Sequence, residues 1–252
     1  MTDNSNRNPS EQPSTATPQP IFNLPLVIVA VVAVLIVVHG FLQFKGMSWQ
    51  IFAQYALAFI PIRFTSSVFP QMKGSAYWSM LTYGLLHADW THLGFNCLWL
   101  VIFSKPVVLR LGSWRYLILL AVSTVAGAVG GLIMHWGEFV VMVGISAGVS
   151  GMIAAAIPIM YARGVGLTTM TERQVKRIHP LSPLQILQNK QALIFTIMWL
   201  GLTMFTATSQ YFTGTAFLEE RVIAWEAHLG GFIAGFIAFY LLDYSSAKLN
   251  SK

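Results

Sequence analysis

The chain alternates long apolar stretches with short segments in which Pro, Gly and charged residues collect. The first apolar run, Ile21 to Phe44, is long enough to cross a bilayer, because about 20 helical residues cover a hydrocarbon core of roughly 30 Å. Further runs over about 92–110, 114–135, 148–162, 191–210 and 224–244 predict five more spans. Within the second span, Lys105, Pro106 and Arg110 predict a helix that ends nearer Phe103. Residues 45–90 hold Gly46, Pro61, Arg63, Pro70, Lys73 and Gly74. An amphipathic piece from Trp49 to Ile62 in that region suits the membrane interface, with a seventh crossing as the alternative. Residues 1–20 are rich in Asn, Ser, Thr, Gln and Pro and read as a disordered tail. The expected fold class is an all-α polytopic membrane protein: tail (1–20), six-helix membrane domain (21–246) and short C-terminus (247–252).

Composition agrees with this pattern. The chain is 55% hydrophobic and 10% charged, with a mean hydropathy of +0.62, which leaves no room for a separate soluble domain. A net charge of +6 could suit nucleic acid, yet the basic residues sit in short connections, where they act as topology signals. No nucleic-acid partner is expected. With six crossings, Lys45, Arg63, Lys73 and Arg221 fall on one face, and the other basic residues fall on the side of the tail. Both termini are therefore expected in the cytoplasm. The tail sets Arg7 against Asp3 and Glu11, unlike a mitochondrial presequence, and the following run is too long for a cleaved signal core. The connection from Arg163 to Lys190, with Pro180 and Pro183, reads as a cytoplasmic tether without chemistry. Cys97 is the single cysteine, so no intrachain disulfide forms.

On this topology the even-numbered spans all begin at the outer face, and their first turns carry His92 and Asn96, Ser150, and His228. An ionisable residue inside a span is costly and points to function. Ser150 lies in Gly148-Val149-Ser150-Gly151-Met152, where two glycines keep the backbone slim around the hydroxyl. Gly231 and Gly235 stand at +3 and +7 from His228, and Ala154 at +4 from Ser150, so spans four and six are expected to approach closely. His92 and Asn96 share one helix face and both can donate to a developing oxyanion, interhelical hydrogen bonding being the plainer alternative.

Other chemistries fit less well. His87, Asp89 and His92 cluster, but the remaining ligands of a metal would come from distant helices, so no metal or cofactor is expected. Gly144-Ile145-Ser146-Ala147-Gly148 matches the nucleophile elbow of α/β-hydrolases, a motif that needs a strand, turn and helix absent from this pattern. Ser146 is expected in the loop before span four. Glu226 lies two positions from His228, about 200° round a helix, and is expected in solvent, which leaves no acid to orient the imidazole.

These pieces together resemble the rhomboid family of intramembrane serine proteases. The resemblance is carried by His87-Ala88-Asp89-Trp90-Thr91-His92 with Asn96, then Gly112-Ser113-Trp114-Arg115, then Gly148-Val149-Ser150-Gly151, then Ala227-His228-Leu229-Gly230-Gly231 with Gly235, from about residue 78 to 240. It implies Ser150 as nucleophile, His228 as general base, and His92, Asn96 and the Ser150 amide as oxyanion stabilisers. The implied substrates are single-span membrane proteins in the lipid bilayer, cut near their outer ends, and the implied location is a bacterial inner membrane. A catalytically inactive relative that binds transmembrane helices in quality control is the alternative. Helix five with its outer loop, about Gln210 to Arg221, is the expected gate for a substrate helix. Three positions depart from the family pattern: the outer-loop Trp-Arg pair is missing, Ser104 and Val108 replace a glycine and a glutamate, and Ala154 replaces an aromatic residue.

Overall fold

A computed structural model of the chain describes residues 24–67, 72–162, 171–212 and 225–249. The expected tail and the outer loop beyond Phe212, with Gly214, Glu219 and Glu220, lie outside the described residues. Ten α-helices are described: α1 (Leu26–Lys45), α2 (Met47–Leu57), α3 (Ser75–Thr82), α4 (Trp90–Leu111), α5 (Ser113–Met134), α6 (Ser146–Met160), α7 (Glu172–Arg177), α8 (Pro183–Gln188), α9 (Lys190–Phe212) and α10 (Trp225–Leu249). The chain is all-helical, and among the described residues the sole β feature is an isolated bridge between Phe59 and Met142. Helices α1, α4 and α5, and Trp225–Tyr244 of α10, are each long and apolar enough to cross a membrane. Ser146–Met160 and Lys190–Phe205 are shorter apolar helices.

Helix α6 is the hub. Every residue from Ala147 to Ile159 is buried, and α4, α5 and α10 surround it. Its 15 residues rise about 22 Å, well short of a hydrocarbon core of roughly 30 Å, so one of its ends must lie below a membrane face. The outward surfaces of the bundle are apolar instead of charged, as with Leu26, Val37 and Phe44 on α1 and Ile194, Ile197 and Phe205 on α9. A soluble protein does not expose that much contiguous apolar area, whereas lipid covers it at no cost.

Several boundaries differ from the sequence reading. Helix α4 continues through Pro106 to Leu111, because Pro106, Val107, Val108 and Leu111 are all buried and their packing outweighs the one amide donor that proline removes. Ser146 is the first residue of α6 rather than part of the preceding loop. At the other end of the chain, residues 247–249 continue α10. Helix α2 rises about 16 Å, which excludes a seventh crossing there.

The connection after α6 is also more than a tether. Helices α7 and α8 each begin with a capping box, Thr171 with Gln174 and Ser182 with Gln185, and both dock on the bundle. The Arg110 guanidinium at the end of α4 grips both carboxylate oxygens of Asp243 on α10, at 2.6 and 3.0 Å. It also donates to the carbonyls of Val175, Lys176 and Ile178. One planar fork thereby satisfies the C-terminal carbonyls of α7 and ties three segments together.

At the opposite end of the bundle, the C-terminus of α2 presents carbonyls that its own helix cannot satisfy. Side chains take four in succession: Arg63 donates to Tyr55 at 2.6 Å and to Ala58 at 2.7 Å, Trp78 to Ala56 at 2.7 Å, and Thr82 to Leu57 at 3.0 Å. Buried carbonyls left without donors cost about 1–3 kcal/mol each. Arg63→Leu is therefore expected to lower unfolding stability by about 2–6 kcal/mol, and Trp78→Phe by about 1–3 kcal/mol, in reversible unfolding from mixed micelles.

Candidate active site

Glycine positions decide which helix faces meet. A Cβ built on Gly235 would overlap Gly151 of α6, and one on Gly231 would overlap the Ala147 carbonyl of α6. A Cβ on Gly230 would stand 2.6 Å from the Ala126 carbonyl of α5, and one on Gly130 of α5 would stand 2.7 Å from the Glu226 carbonyl. Helix α10 therefore has two smooth faces, Gly231 and Gly235 toward α6 and Glu226 and Gly230 toward α5. His228 is three and seven residues from Gly231 and Gly235, so it shares the face turned to α6.

On α6 the touching stripe is Ala147 and Gly151, and Ser150 lies between them in sequence. Ser150 is 1% exposed, and its Oγ has no hydrogen-bond partner among the described residues. Nδ1 of His228 is likewise buried without a partner. Two buried polar atoms without a partner among the described residues thus lie on helices in backbone contact. Gly148 packs against Thr124 and Leu120 of α5, and Gly151 against Ser123, so both glycines flanking Ser150 are needed for space.

The first turn of α4 adds donors to the same region. Asp89 caps the helix by accepting from the His92 amide at 2.8 Å, which places His92 and Asn96 on adjacent turns. The imidazole of His92 lies within electrostatic range of His228. Asn96 is 5% exposed and its Nδ2 donates to the His92 carbonyl at 3.1 Å, which leaves its second N–H to turn elsewhere. Gly144, before α6, has φ +112° and a built Cβ would stand 2.7 and 2.8 Å from Cε1 and Nε2 of His92 and 3.8 Å from Nδ2 of Asn96. The first glycine of the discarded Gly-x-Ser-x-Gly match is therefore needed to seat His92 against the start of α6.

Further groups emerge only from the fold. Because α6 begins at Ser146, the Ser150 amide is its fifth, one turn past the amides that a helix N-terminus leaves without carbonyl partners. Those free amides belong to the first turn. Glu226, expected in solvent, is 6% exposed and pairs with Nε2 of His135 at 3.0 Å, so it turns away from His228 toward α5. His135 also meets Glu138 through Nδ1 at 2.7 Å. Ala154 is fully buried in the core around α6, and Ser104 and Val108 are buried where a glycine and a glutamate are usual, the Ser104 hydroxyl beside that of Tyr116.

His87 precedes α4 and contacts His92 edge to face, with ring centroids 5.2 Å apart. Burial first, then the neighbouring His92 and His39, lower its pKa from 6.5 to about 3. It is neutral at physiological pH. Its folded value lies below its unfolded one, so the folded state is fully favoured above about pH 6.5 and loses stability as pH falls toward 3, where the unfolded chain takes up the proton first. His87→Phe is expected to flatten the acid limb of thermal stability between those values, measured by melting in detergent from pH 7 to 4.

Gly235 and Gly201 form an internal contrast, since a Cβ on Gly201 meets nothing within 4 Å. Gly235→Ala is expected to cost about 1–3 kcal/mol by forcing α10 off α6. Gly201→Ala is expected to be neutral or to gain up to about 1 kcal/mol from helix propensity. Unfolding of the two variants side by side checks this.

A family model described as the Rhomboid domain matches residues 74–245. No curated protein sequence matches the chain.

Proposed function

The chain belongs to the rhomboid family, and from that premise we propose that it is an intramembrane serine endopeptidase working through a dyad of Ser150 and His228. The observation that carries this reading is the pair of buried, unpartnered polar atoms, Ser150 Oγ and His228 Nδ1, on helices whose backbones touch. The Ser150 oxygen attacks the scissile carbonyl carbon while His228 takes the hydroxyl proton. Collapse of the tetrahedral intermediate breaks the C–N bond, and His228 gives the proton to the departing amine. Water activated by His228 then cleaves the ester and frees Ser150. His92 and Asn96 stand at the start of α4, where their N–H groups, with the Ser150 amide if the first turn of α6 loosens, stabilise the oxyanion. In the substrate-free state these contacts are loose and tighten around the reacting carbonyl.

Geometry also favours a substrate class. On this reading α1, α4, α5, α6, α9 and α10 are six spans of a bacterial inner membrane, and the distribution of basic residues supports cytoplasmic termini. The short α6 then begins beneath the outer face, so Ser150 is reached by water from outside and by a helix from the lipid. Helix α9 rests on the bundle through Trp199 against Trp99 and Phe195 against Phe103 and Tyr161, while Ile194, Ile197, Met198 and Phe205 face outward. Displacement of its outer end admits a single-span protein, cut where small or helix-breaking residues let its backbone unwind. The second reading, a non-catalytic relative that binds transmembrane helices, draws support from the missing Ser150 to His228 hydrogen bond.

In proteoliposomes with a panel of single-span proteins, Ser150→Ala and His228→Ala are each expected to abolish cleavage and fluorophosphonate labelling in folded protein. Asn96→Ala or His92→Ala is expected to lower kcat by about 10²–10³, with smaller changes in KM. Labelling at Ser146, or cleavage surviving in Ser150→Ala, would contradict the reading.

A further inference from the structure

We infer that His135 and Glu226 are positioning residues for His228, forming a carboxylate–imidazole latch that fixes the rotation of α10 about its own axis. The inference rests on the dyad reading above. Glu226 is 6% exposed, and Nε2 of His135 reaches its Oε1 at 3.0 Å while Nδ1 reaches Oε2 of Glu138 at 2.7 Å. The imidazole bridges two carboxylates, one buried and one exposed, across the ends of α5 and α10. His135 is also the C-cap residue of α5. A buried carboxylate without that partner would be strongly disfavoured.

The glycine-lined faces explain why such a latch matters. Helix α10 meets α5 and α6 through Gly230, Gly231 and Gly235, and near its start the small Ala227 is the side chain packed into the core beside them. Backbone surfaces of this kind allow close approach but resist twisting weakly. The polar bridge lies in the first turn, two residues before His228. For a helix whose side-chain envelope has a radius of about 5–6 Å, a 10° rotation moves a side-chain tip by on the order of 1 Å. A 1 Å misplacement of a catalytic group can cost up to about a hundredfold in rate. The acid that many serine hydrolases set against the histidine ring is here replaced by an acid that holds the histidine's helix.

The test uses full-length protein in proteoliposomes with a rhodamine fluorophosphonate as probe of Ser150 reactivity and a single-span protein from the panel as substrate. Glu226→Ala and His135→Ala are expected to lower labelling rate and kcat about tenfold with KM within about twofold, and the double variant is expected to fall no further. Glu226→Gln and His135→Gln, which keep volume and a hydrogen bond, are expected to lose about two- to threefold with an unchanged melting temperature. Full activity in the glutamine variants would overturn the latch, as would multiplied losses in the double variant; the glutamine variants decide the matter if the alanine variants do not fold. Spin labels at Met134→Cys and Leu229→Cys, in a Cys97→Ser background, separate this inference from the dyad. A broader distance distribution in Glu226→Gln supports the latch even where wild-type protein fails to label at Ser150, and an unchanged width overturns it even where labelling succeeds.

Discussion

Backbone contact between α6 and α10 is the constraint on which the other features depend. Lipid tails are as apolar as leucine, so nothing hydrophobic drives two membrane helices together, and association has to come from close packing and polar contacts. Gly231 against the Ala147 backbone and Gly235 against Gly151 supply the packing, because no glycine side chain stands between the helices at those two contacts. That geometry leaves Ser150 beside the contact stripe of α6 and His228 on the face of α10 turned to it. Any bulkier residue at Gly231 or Gly235 would force the two helices apart.

The rest of the bundle sets the depth and rigidity of that contact. A hub helix of 15 residues cannot span the bilayer alone, so one of its ends is sunk, and the first turn of α4 lies against the segment before its start. Gly144 gives His92 the room to do so. At both ends of the bundle, carbonyls that lipid could not satisfy are held by side chains: Arg63, Trp78 and Thr82 at α2, and Arg110 at α7. These grips keep the short helices in place, whereas α9 rests on the core through Ala192 and aromatic contacts.

Four of the expected spans were legible because lipid enforces a simple pattern, and the spacing of Gly231 and Gly235 from His228 foretold the α6 to α10 seam, which on α6 falls at Ala147 and Gly151 and not at Ala154. Pro106 misled because a proline's missing donor is a local cost, and the burial that repays it comes from helices far away in sequence. Glu226 misled for a similar reason. Its helical angle from His228 was read correctly, but the partner that makes burial tolerable, His135, lies 91 residues earlier and bears no motif. Gly144 was visible only as part of a match to a different fold. The grip of Arg63 and Trp78 on α2 was not legible because it is made on carbonyls, and backbone acceptors leave no trace in sequence.

The central claim is that one cavity holds the Ser150 nucleophile, the His228 base and the α4 donors. A crystal structure of the fluorophosphonate-treated protein tests it most directly. The account predicts a phosphorus bonded to Ser150 Oγ, a ring nitrogen of His228 within hydrogen-bond distance of the adduct, and the phosphoryl oxygen facing His92 and Asn96. An adduct on Ser146, or one on Ser150 whose phosphoryl oxygen points away from α4, would contradict it.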